Sequence, residues 1–186
     1  MRSDCGAKEI LFPMPVLIVG SYDENGKADA MNAAWGGIGD TKEVFLCLDA
    51  SHKTVKNILK TKEFTVSPAT LENVIPTDYV GIESANKVEN KMEKSGLHVE
   101  KAKNVNAPVF AEFPVSLECR LKSYDEKTSH LFGEIVNVTA DEAVLTEGKI
   151  DIAKLKPISY NPVAHTYHLV NAESCAQAFS CGAALK

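Results

Sequence analysis

Residues 32–67 read NAAWGGIGDTKEVFLCLDASHKTVKNILKTKEFTVS, and this stretch decides the fold class. The apolar run 44–48 predicts a buried strand, and residues 64–66 predict a second one. Between these strands, Ser51 can cap a helix over residues 52–62, on which apolar residues and lysines occupy opposite faces. A strand, a helix and a strand in close succession predict a sheet with an inserted helix.

The flanking sequence predicts further antiparallel strands. The β-branched run 16–19 is followed by Asn25-Gly26, a pair that favours a tight hairpin, and a return strand runs toward Met31. Apolar and polar residues alternate over 115–121, which predicts a strand with one buried face, and residues 131–138 predict its partner. Meander strands with helices inserted between some of them predict an antiparallel β-barrel with added α-helices.

Glycines and capping residues predict the remaining loops and helices. The glycines of segment 36–39 indicate a loop, and residues 71–80 indicate a helix. Another helix is predicted after Asn86, whose side chain would form a capping box with Glu89, and Gly96 is its expected end.

Composition indicates one ordinary globular domain. The chain has 186 residues, of which 45% are hydrophobic and 24% charged. We therefore expect a single domain over residues 1–186, with a core over about 12–182. The formal net charge of −5 provides no general attraction for nucleic acid or for an anionic membrane, so we expect neither as a partner.

The N-terminal residues, the apolar runs and the cysteines indicate where in the cell the protein is located. Residues 1–6 lack the pattern of a signal peptide, and the apolar runs are too short to span a membrane. The five cysteines are odd in number, and their spacing indicates neither a disulfide framework nor a metal site. We expect a reduced, cytoplasmic protein without a bound metal.

The Ser-His-Lys-Thr turn at 51–54 is a candidate phosphate site. It lies where a strand ends and a helix begins, so unpaired backbone N–H groups and the positive end of the helix face outward. The side chains of Ser51, His52, Lys53 and Thr54 add further donors. Taken alone, the commoner interpretation is a capped surface helix with solvated lysines.

Two more segments have weaker individual signals. Residues 32–37 join a strand end to glycines, and their small side chains would let a planar ligand approach the backbone. The alternative for Trp35, the only tryptophan, is an ordinary core residue near a turn. Ser67, at the end of a predicted strand, indicates little by itself.

The order of these segments resembles the flavin reductase-like family, the FMN-binding split barrels that include flavoredoxin. The resemblance extends from about residue 12 to 182 and includes further motifs in register: Pro13-x-Pro15-Val16, Tyr79-Val80-Gly81-Ile82-x-Ser84, residues 90–97, Leu117-Glu118-Cys119, residues 130–135 and residues 155–160. Each motif is loose, but all occur in the family's order. The resemblance implies FMN as the cofactor.

The resemblance also implies the residues that bind the flavin. Segment 32–35 would line the edge of the isoalloxazine ring through its backbone amides, 49–51 would continue that wall, and 52–54 would take the phosphate. Ser67 and Ser84 would add polar contacts, Lys91 would reach the flavin, and His130 would lie near the ring or the phosphate. The complete set is Asn32, Ala33, Ala34, Trp35, Asp49, Ala50, Ser51, His52, Lys53, Thr54, Ser67, Ser84, Lys91 and His130.

Three positions depart from the family pattern. Asp29 stands where many flavoredoxin-like members have asparagine, so an acceptor replaces a donor. Residues 40–42 replace a frequent Pro-Pro turn, and Ala85 replaces a common glycine. None of these changes removes the phosphate turn.

Three functions remain open at this point. The leading hypothesis is an FMN-dependent oxidoreductase, either a flavin reductase using a reduced nicotinamide or a flavoredoxin-type electron carrier. An alternative is a non-catalytic flavin-binding or carrier protein of the same fold. A third is an unliganded barrel that acts as an interaction module, for example by binding oligonucleotides, which the acidity and the 7% aromatic content disfavour. No nucleophile–base pair or Gly-x-Gly-x-x-Gly motif is present, so we predict no catalytic side chain and only transient nicotinamide binding.

The resemblance further implies a homodimer with flavin sites near the subunit interface. The tail around 179–185 is a candidate for that contact, and it would equally suit a cap on its own subunit. Electron partners are either a reduced nicotinamide or a protein donor and acceptor.

Overall fold

The structure is a computed structural model that describes residues 1–185. Its helices are α1 (Lys53–Thr61), α2 (Val74–Ile82), α3 (Lys91–Ser95) and α4 (Ile152–Leu155), with 3-10 turns at Leu71–Asn73, Glu142–Val144 and Cys181–Leu185. Its strands are β1 (Met14–Pro15), β2 (Leu17–Tyr22), β3 (Ala28–Ala33), β4 (Gly36–Asp40), β5 (Glu43–Cys47), β6 (Glu63–Pro68), β7 (Val99–Lys101), β8 (Pro108–Phe110), β9 (Val115–Asp125), β10 (His130–Ala140), β11 (Leu145–Thr146), β12 (Lys149–Ile150), β13 (Ile158–Asn161) and β14 (Thr166–Leu169).

One antiparallel sheet dominates the fold, with strand order β3-β2-β6-β9-β10-β5-β4. Strands β3 and β4 follow each other in the chain but lie at opposite edges of this order. The sheet therefore curves into an incompletely closed barrel, which confirms the predicted antiparallel β-barrel with added helices. A small sheet of order β1-β13-β14 lies beside it, and β7 and β8 form a separate hairpin.

Apolar side chains cover both faces of the central strands. One core cluster joins α1 to the sheet through Ile58 and Phe64, and a second places Val80 of α2 against Ile18 and Phe110. Burying each such side chain stabilises the fold by about 1.5–3 kcal/mol. Burial on both faces explains the continuous apolar character of β2.

The glycine segment after Trp35 is a strand, so the predicted loop at 36–39 is wrong. Gly36 pairs with Leu46 and Gly37 with Phe45 in the β4–β5 ladder. A Cβ atom at Gly36 would lie 2.6 Å from Leu46 Cδ2 and 2.7 Å from the carbonyl oxygen of Phe45. The glycine permits close strand approach here rather than a turn.

Helix ends were predicted with mixed success. Helix α1 begins at Lys53 after His52, and Ser51 does not cap it, because its side chain makes no hydrogen bond to the helix. The Asn86 capping box is also wrong, since Asn86 Nδ2 donates instead to the carbonyl oxygen of Ser51 at 2.9 Å. The end of α3 at Gly96 is confirmed by its φ of 72°.

The alternating pattern over 115–121 predicted that the polar residues of β9 are exposed, and two of them are not. Ser116 and Glu118 are buried, and the segment before β8 contacts the Glu118 carboxylate. The Glu118 carboxylate accepts the backbone N–H of Lys103 at 3.2 Å and that of Asn104 at 2.9 Å. Glu118 is therefore a polar residue of the alternating pattern that is nevertheless buried, because backbone N–H groups donate to its carboxylate.

Candidate functional site

A cavity of about 520 Å³ lies where the end of β3, the turn before α1, the end of α2 and the start of α3 meet. Its size falls within the usual range for small-molecule sites. The sharp turn from β5 into α1 exposes the start of that helix, and α2 packs against β3. The cavity therefore forms between a helix N-terminus and an edge strand.

Most of the predicted flavin-binding residues line this single cavity. The residues brought together are Asn32, Ala33, Ala34, Trp35, Asp49, His52, Lys53, Thr54, Ser84 and Lys91. They come from four separate parts of the chain, so their convergence is a property of the fold. Their contacts with flavin remain predictions.

Four predicted residues lie outside the cavity lining. Ala50 and Ser51 belong to the turn before α1, where Ser51 is exposed and its N–H donates to Asp49 Oδ1 at 2.7 Å. Ser67 is 1% exposed within β6. His130 begins β10, and its ring meets the edge of the Phe45 ring with centroids 5.1 Å apart. Their proposed contacts with flavin also stay predictions.

Sequence reasoning missed several lining residues. Asp29 and Met31 lie on the same face of β3 as Ala33, and the two-residue period of a strand was a signal for both. Cys47 is the last residue of β5 and Leu48 follows it, and the predicted strand over 44–48 was a signal for their place in the lining. Ser129, in the β9–β10 turn with a φ of 60°, had no comparable sequence signal.

The start of α1 is suited to an anion. Within residues 1–185, the backbone N–H groups of Lys53, Thr54 and Val55 have no hydrogen-bond acceptor, and the first bond of the helix runs from the Lys56 N–H to the His52 carbonyl at 3.1 Å. Unpaired donors and the helix dipole favour negative charge at this end. Lys53 and His52 both line the adjoining cavity.

The Thr54 hydroxyl already donates a hydrogen bond within the protein. Its Oγ1 donates to Asp29 Oδ2 at 2.6 Å, and both residues are buried. A hydroxyl has one proton to donate, so this bond leaves Thr54 no side-chain donor for a phosphate. The predicted phosphate contact of Thr54 would therefore have to use its backbone N–H.

Lys91 forms a buried ion pair with Asp29 in the cavity wall. Its Nζ lies 3.4 Å from Asp29 Oδ1 and donates to the Ala30 carbonyl at 2.6 Å. Burial lowers the pKa of Lys91, and the adjacent Asp29 carboxylate opposes that change. The Asp29 carboxylate thus balances the charge of a buried lysine.

Two features, a metal site and a membrane-spanning helix, are absent from the part of the chain that the structure describes. No group of three His, Cys, Asp or Glu side chains is placed to hold a metal ion. No helix within residues 1–185 has the length and apolar character needed to span a membrane.

These features define a cavity beside a helix N-terminus on an incompletely closed antiparallel barrel, and comparison with known proteins gives the family. The model of the flavin reductase like domain matches residues 10–164, so the chain belongs to the flavin reductase like domain family.

Three solved structures are similar over nearly the whole fold. Flavoredoxin of Desulfovibrio vulgaris (Miyazaki F) is 34% identical, with a TM-score of 0.92, over 98% of this chain and 100% of that one. Flavoredoxin from Methanosarcina acetivorans is 26% identical, with a TM-score of 0.88, over 100% and 98%. An FMN-binding domain of a flavin reductases-like enzyme from Shewanella baltica is 20% identical, with a TM-score of 0.80, over 88% and 89%, and shows the shared fold.

The predicted family and the split-barrel fold are therefore confirmed. The family and its FMN-binding split barrels support FMN as the cofactor.

Proposed function

We propose that this chain binds FMN in the cavity between β3 and α1 and is an FMN-dependent oxidoreductase. The observation that carries the proposal is the pair of unpaired N–H groups of Lys53 and Thr54 at the start of α1, since both residues line the cavity. A net-acidic protein can hold a phosphate dianion there because the donors are local. When bound, FMN would supply the hydride or electron transfer.

The chain's own residues would position the cofactor. The backbone of segment 32–35 would lie along the flavin ring, and Ser84 would approach from the end of α2. Trp35, 54% exposed at the rim, would cover part of the opening and limit access of water. The Asp29–Lys91 pair would maintain the wall between the ring and the phosphate end.

Flavoredoxin-type electron transfer to a protein partner is the form of this function that we favour. The likeness to the Desulfovibrio flavoredoxin supports it, because it covers 98% of this chain at 34% identity. A flavin reductase that uses NADH or NADPH is the second form. In either case, we propose no catalytic side chain, since the cofactor would carry the chemistry.

A homodimer in the cytoplasm is part of the same proposal. Strand β4 is an edge strand on which Ile38 is 68% exposed, close in sequence to Trp35 at the cavity rim. An apolar edge beside the site suits a second copy of the chain. The free state of all five cysteines supports a reducing location.

Comparison of FMN with riboflavin tests the phosphate assignment directly, because the two ligands share the ring and differ in the phosphate. We expect quenching of flavin fluorescence on titration, with FMN binding at least about 30-fold more tightly, the ratio that about 2 kcal/mol gives. Lys53→Ala should reduce this preference, whereas Lys60→Ala, at the other end of α1, should leave it unchanged. Equal affinities for the two ligands would contradict the assignment.

Reduction of the bound flavin separates the forms of the function. Bleaching of the oxidised flavin absorbance by NADH or NADPH would indicate a reductase. Bleaching by a reduced protein donor alone would support the flavoredoxin form. If the flavin bound but no donor reduced it, a non-catalytic carrier would be the correct interpretation, and if no flavin bound, the whole proposal would fail.

A further inference from the structure

A second cavity of about 320 Å³ adjoins the flavin cavity and shares four lining residues with it: Asn32, Ala34, Gly81 and Ile82. Its opposite wall includes Tyr167 of strand β14. The β13–β14 hairpin thus borders the two segments, the end of β3 and the end of α2, that form one side of the flavin cavity. The sequence motifs did not assign any role to this hairpin.

One hydroxyl group connects all three elements. Asn32 Nδ2, on β3, donates to the Tyr167 hydroxyl at 3.2 Å, and that hydroxyl donates to Asp78 Oδ1, on α2, at 2.9 Å. The oxygen therefore accepts one hydrogen bond and donates its only proton. Burial and the Asp78 carboxylate raise the pKa of Tyr167 to about 12, so the hydroxyl keeps that proton at neutral pH.

The elements joined by this hydroxyl are also closely packed. A Cβ atom built on Gly81 would lie 3.0 Å from Asn32 Cβ, so α2 approaches β3 to the limit that a glycine allows. Asp78 lies one helical turn before Gly81. Because β3 is an edge strand of the main sheet, a strand pairs with it on one side only, and its packing against α2 adds to the contacts that hold it in place.

We propose that Tyr167 is a positioning residue for the flavin cavity: its hydroxyl holds the end of β3 and the end of α2 at a fixed separation. The hydrogen bond also pairs the Asn32 amide with Tyr167, which lines the second cavity, and would leave the backbone of that segment to face the ring. This inference deepens the proposed function and rests on it for the ring contact. The hydrogen-bond chain itself is independent of any ligand.

The variant Tyr167→Phe removes the hydroxyl and retains the ring. It should weaken FMN binding by about 10-fold, the effect of losing one well-made hydrogen bond to a charged group. Riboflavin affinity should fall by the same factor, because the phosphate end at α1 is untouched. Partial unfolding would also lower both apparent affinities by one factor, so the distinction from a general loss of structure comes from the control variant and from hydrogen exchange that is faster only in 28–35 and 74–85.

Three further variants identify the interaction. Tyr160→Phe is the matched control, since its hydroxyl pairs with His165 Nδ1 at 2.8 Å within the same hairpin, and it should leave affinity unchanged. Asp78→Asn retains a carbonyl oxygen that can accept from Tyr167 but loses the charge, so it should weaken binding less than Tyr167→Phe does. Asp78→Ala should match Tyr167→Phe.

Hydrogen exchange of the ligand-free protein makes the test independent of flavin. Peptides covering 28–35 and 74–85 should exchange at least about threefold faster in Tyr167→Phe than in Tyr160→Phe. If the wild type binds no flavin, the proposed function fails, while these exchange rates still decide the positioning role. Unchanged exchange, or an FMN affinity within about twofold of the wild type, would overturn the inference.

Discussion

The buried Asp29–Lys91 pair allows a sharp test of the structure. The two side chains are 4% and 3% exposed, and Lys91 Nζ lies 3.4 Å from Asp29 Oδ1. Lys91→Met leaves a buried carboxylate without its cation, and Asp29→Asn leaves a buried cation without its carboxylate. Each single change should lower the free energy of unfolding by about 3–5 kcal/mol, because an uncompensated buried charge is so unfavourable.

The double variant should be much less destabilised than the sum of the single ones. With both charges removed, no uncompensated charge remains buried, so a coupling energy of at least about 2 kcal/mol is expected. Urea unfolding at neutral pH, followed by far-UV circular dichroism, measures all four proteins. The matched control is the surface pair Lys60–Glu24, whose side chains are 58% and 64% exposed.

For that surface pair, the corresponding cycle of Lys60→Met and Glu24→Gln should give a coupling energy below about 1 kcal/mol, because solvent screens the charges. The reasoning would be refuted if the buried pair coupled no more strongly than the surface pair. It would also be refuted if either buried single change cost less than about 1 kcal/mol.

Three other predictions concern strand packing and the thiols. Gly36→Ala should cost about 1–3 kcal/mol because its Cβ would meet a neighbouring carbonyl at 2.7 Å, whereas Gly37→Ala, with no atom within 4 Å, should be nearly neutral; equal urea midpoints would contradict this. Burial raises the pKa of Cys119 to about 12 from 9.0, so its contribution to stability is present below pH 9 and is lost by about 1.4 kcal/mol per unit as the pH rises above 9. The variant Cys119→Ala should show a flatter decline in unfolding free energy between pH 9 and 10.5, and an identical slope would disprove the assignment. An aromatic disulfide reagent should react rapidly in the folded protein with the exposed thiols Cys5, Cys175 and Cys181, and with Cys119 only after unfolding; rapid labelling of Cys119 without denaturant would contradict its burial.

Local sequence signals predicted the elements that depend on neighbouring residues. The Asn25-Gly26 hairpin is present, with a φ of 78° at Gly26, because a tight turn depends on residues adjacent in the chain. The helix starting near His52 was predicted within one residue, since its apolar face repeats every three to four positions. The residues predicted from the motifs make up ten of the twenty that line the cavity.

Signals of the same kind failed where a distant partner decides the outcome. The segment at Gly36 appeared to be a loop by composition, yet it is a strand because β5 offers it a backbone ladder. Ser51 and Asn86 were assigned as caps from spacing alone. In the fold, Asn86 instead reaches the Ser51 carbonyl, 35 residues away, and no rule of local spacing includes that distance.

The sequence by itself determined that the chain is a flavin reductase-like split barrel and that a helix N-terminus with local donors lies beside small residues suited to a planar ring. Tertiary structure alone decided how the polar side chains are used. Thr54 donates its single proton to Asp29, and the Asn32 amide donates to Tyr167, 135 residues further along the chain. The physical reason is that each donor proton can serve one acceptor well, and only folding decides which acceptor lies within reach.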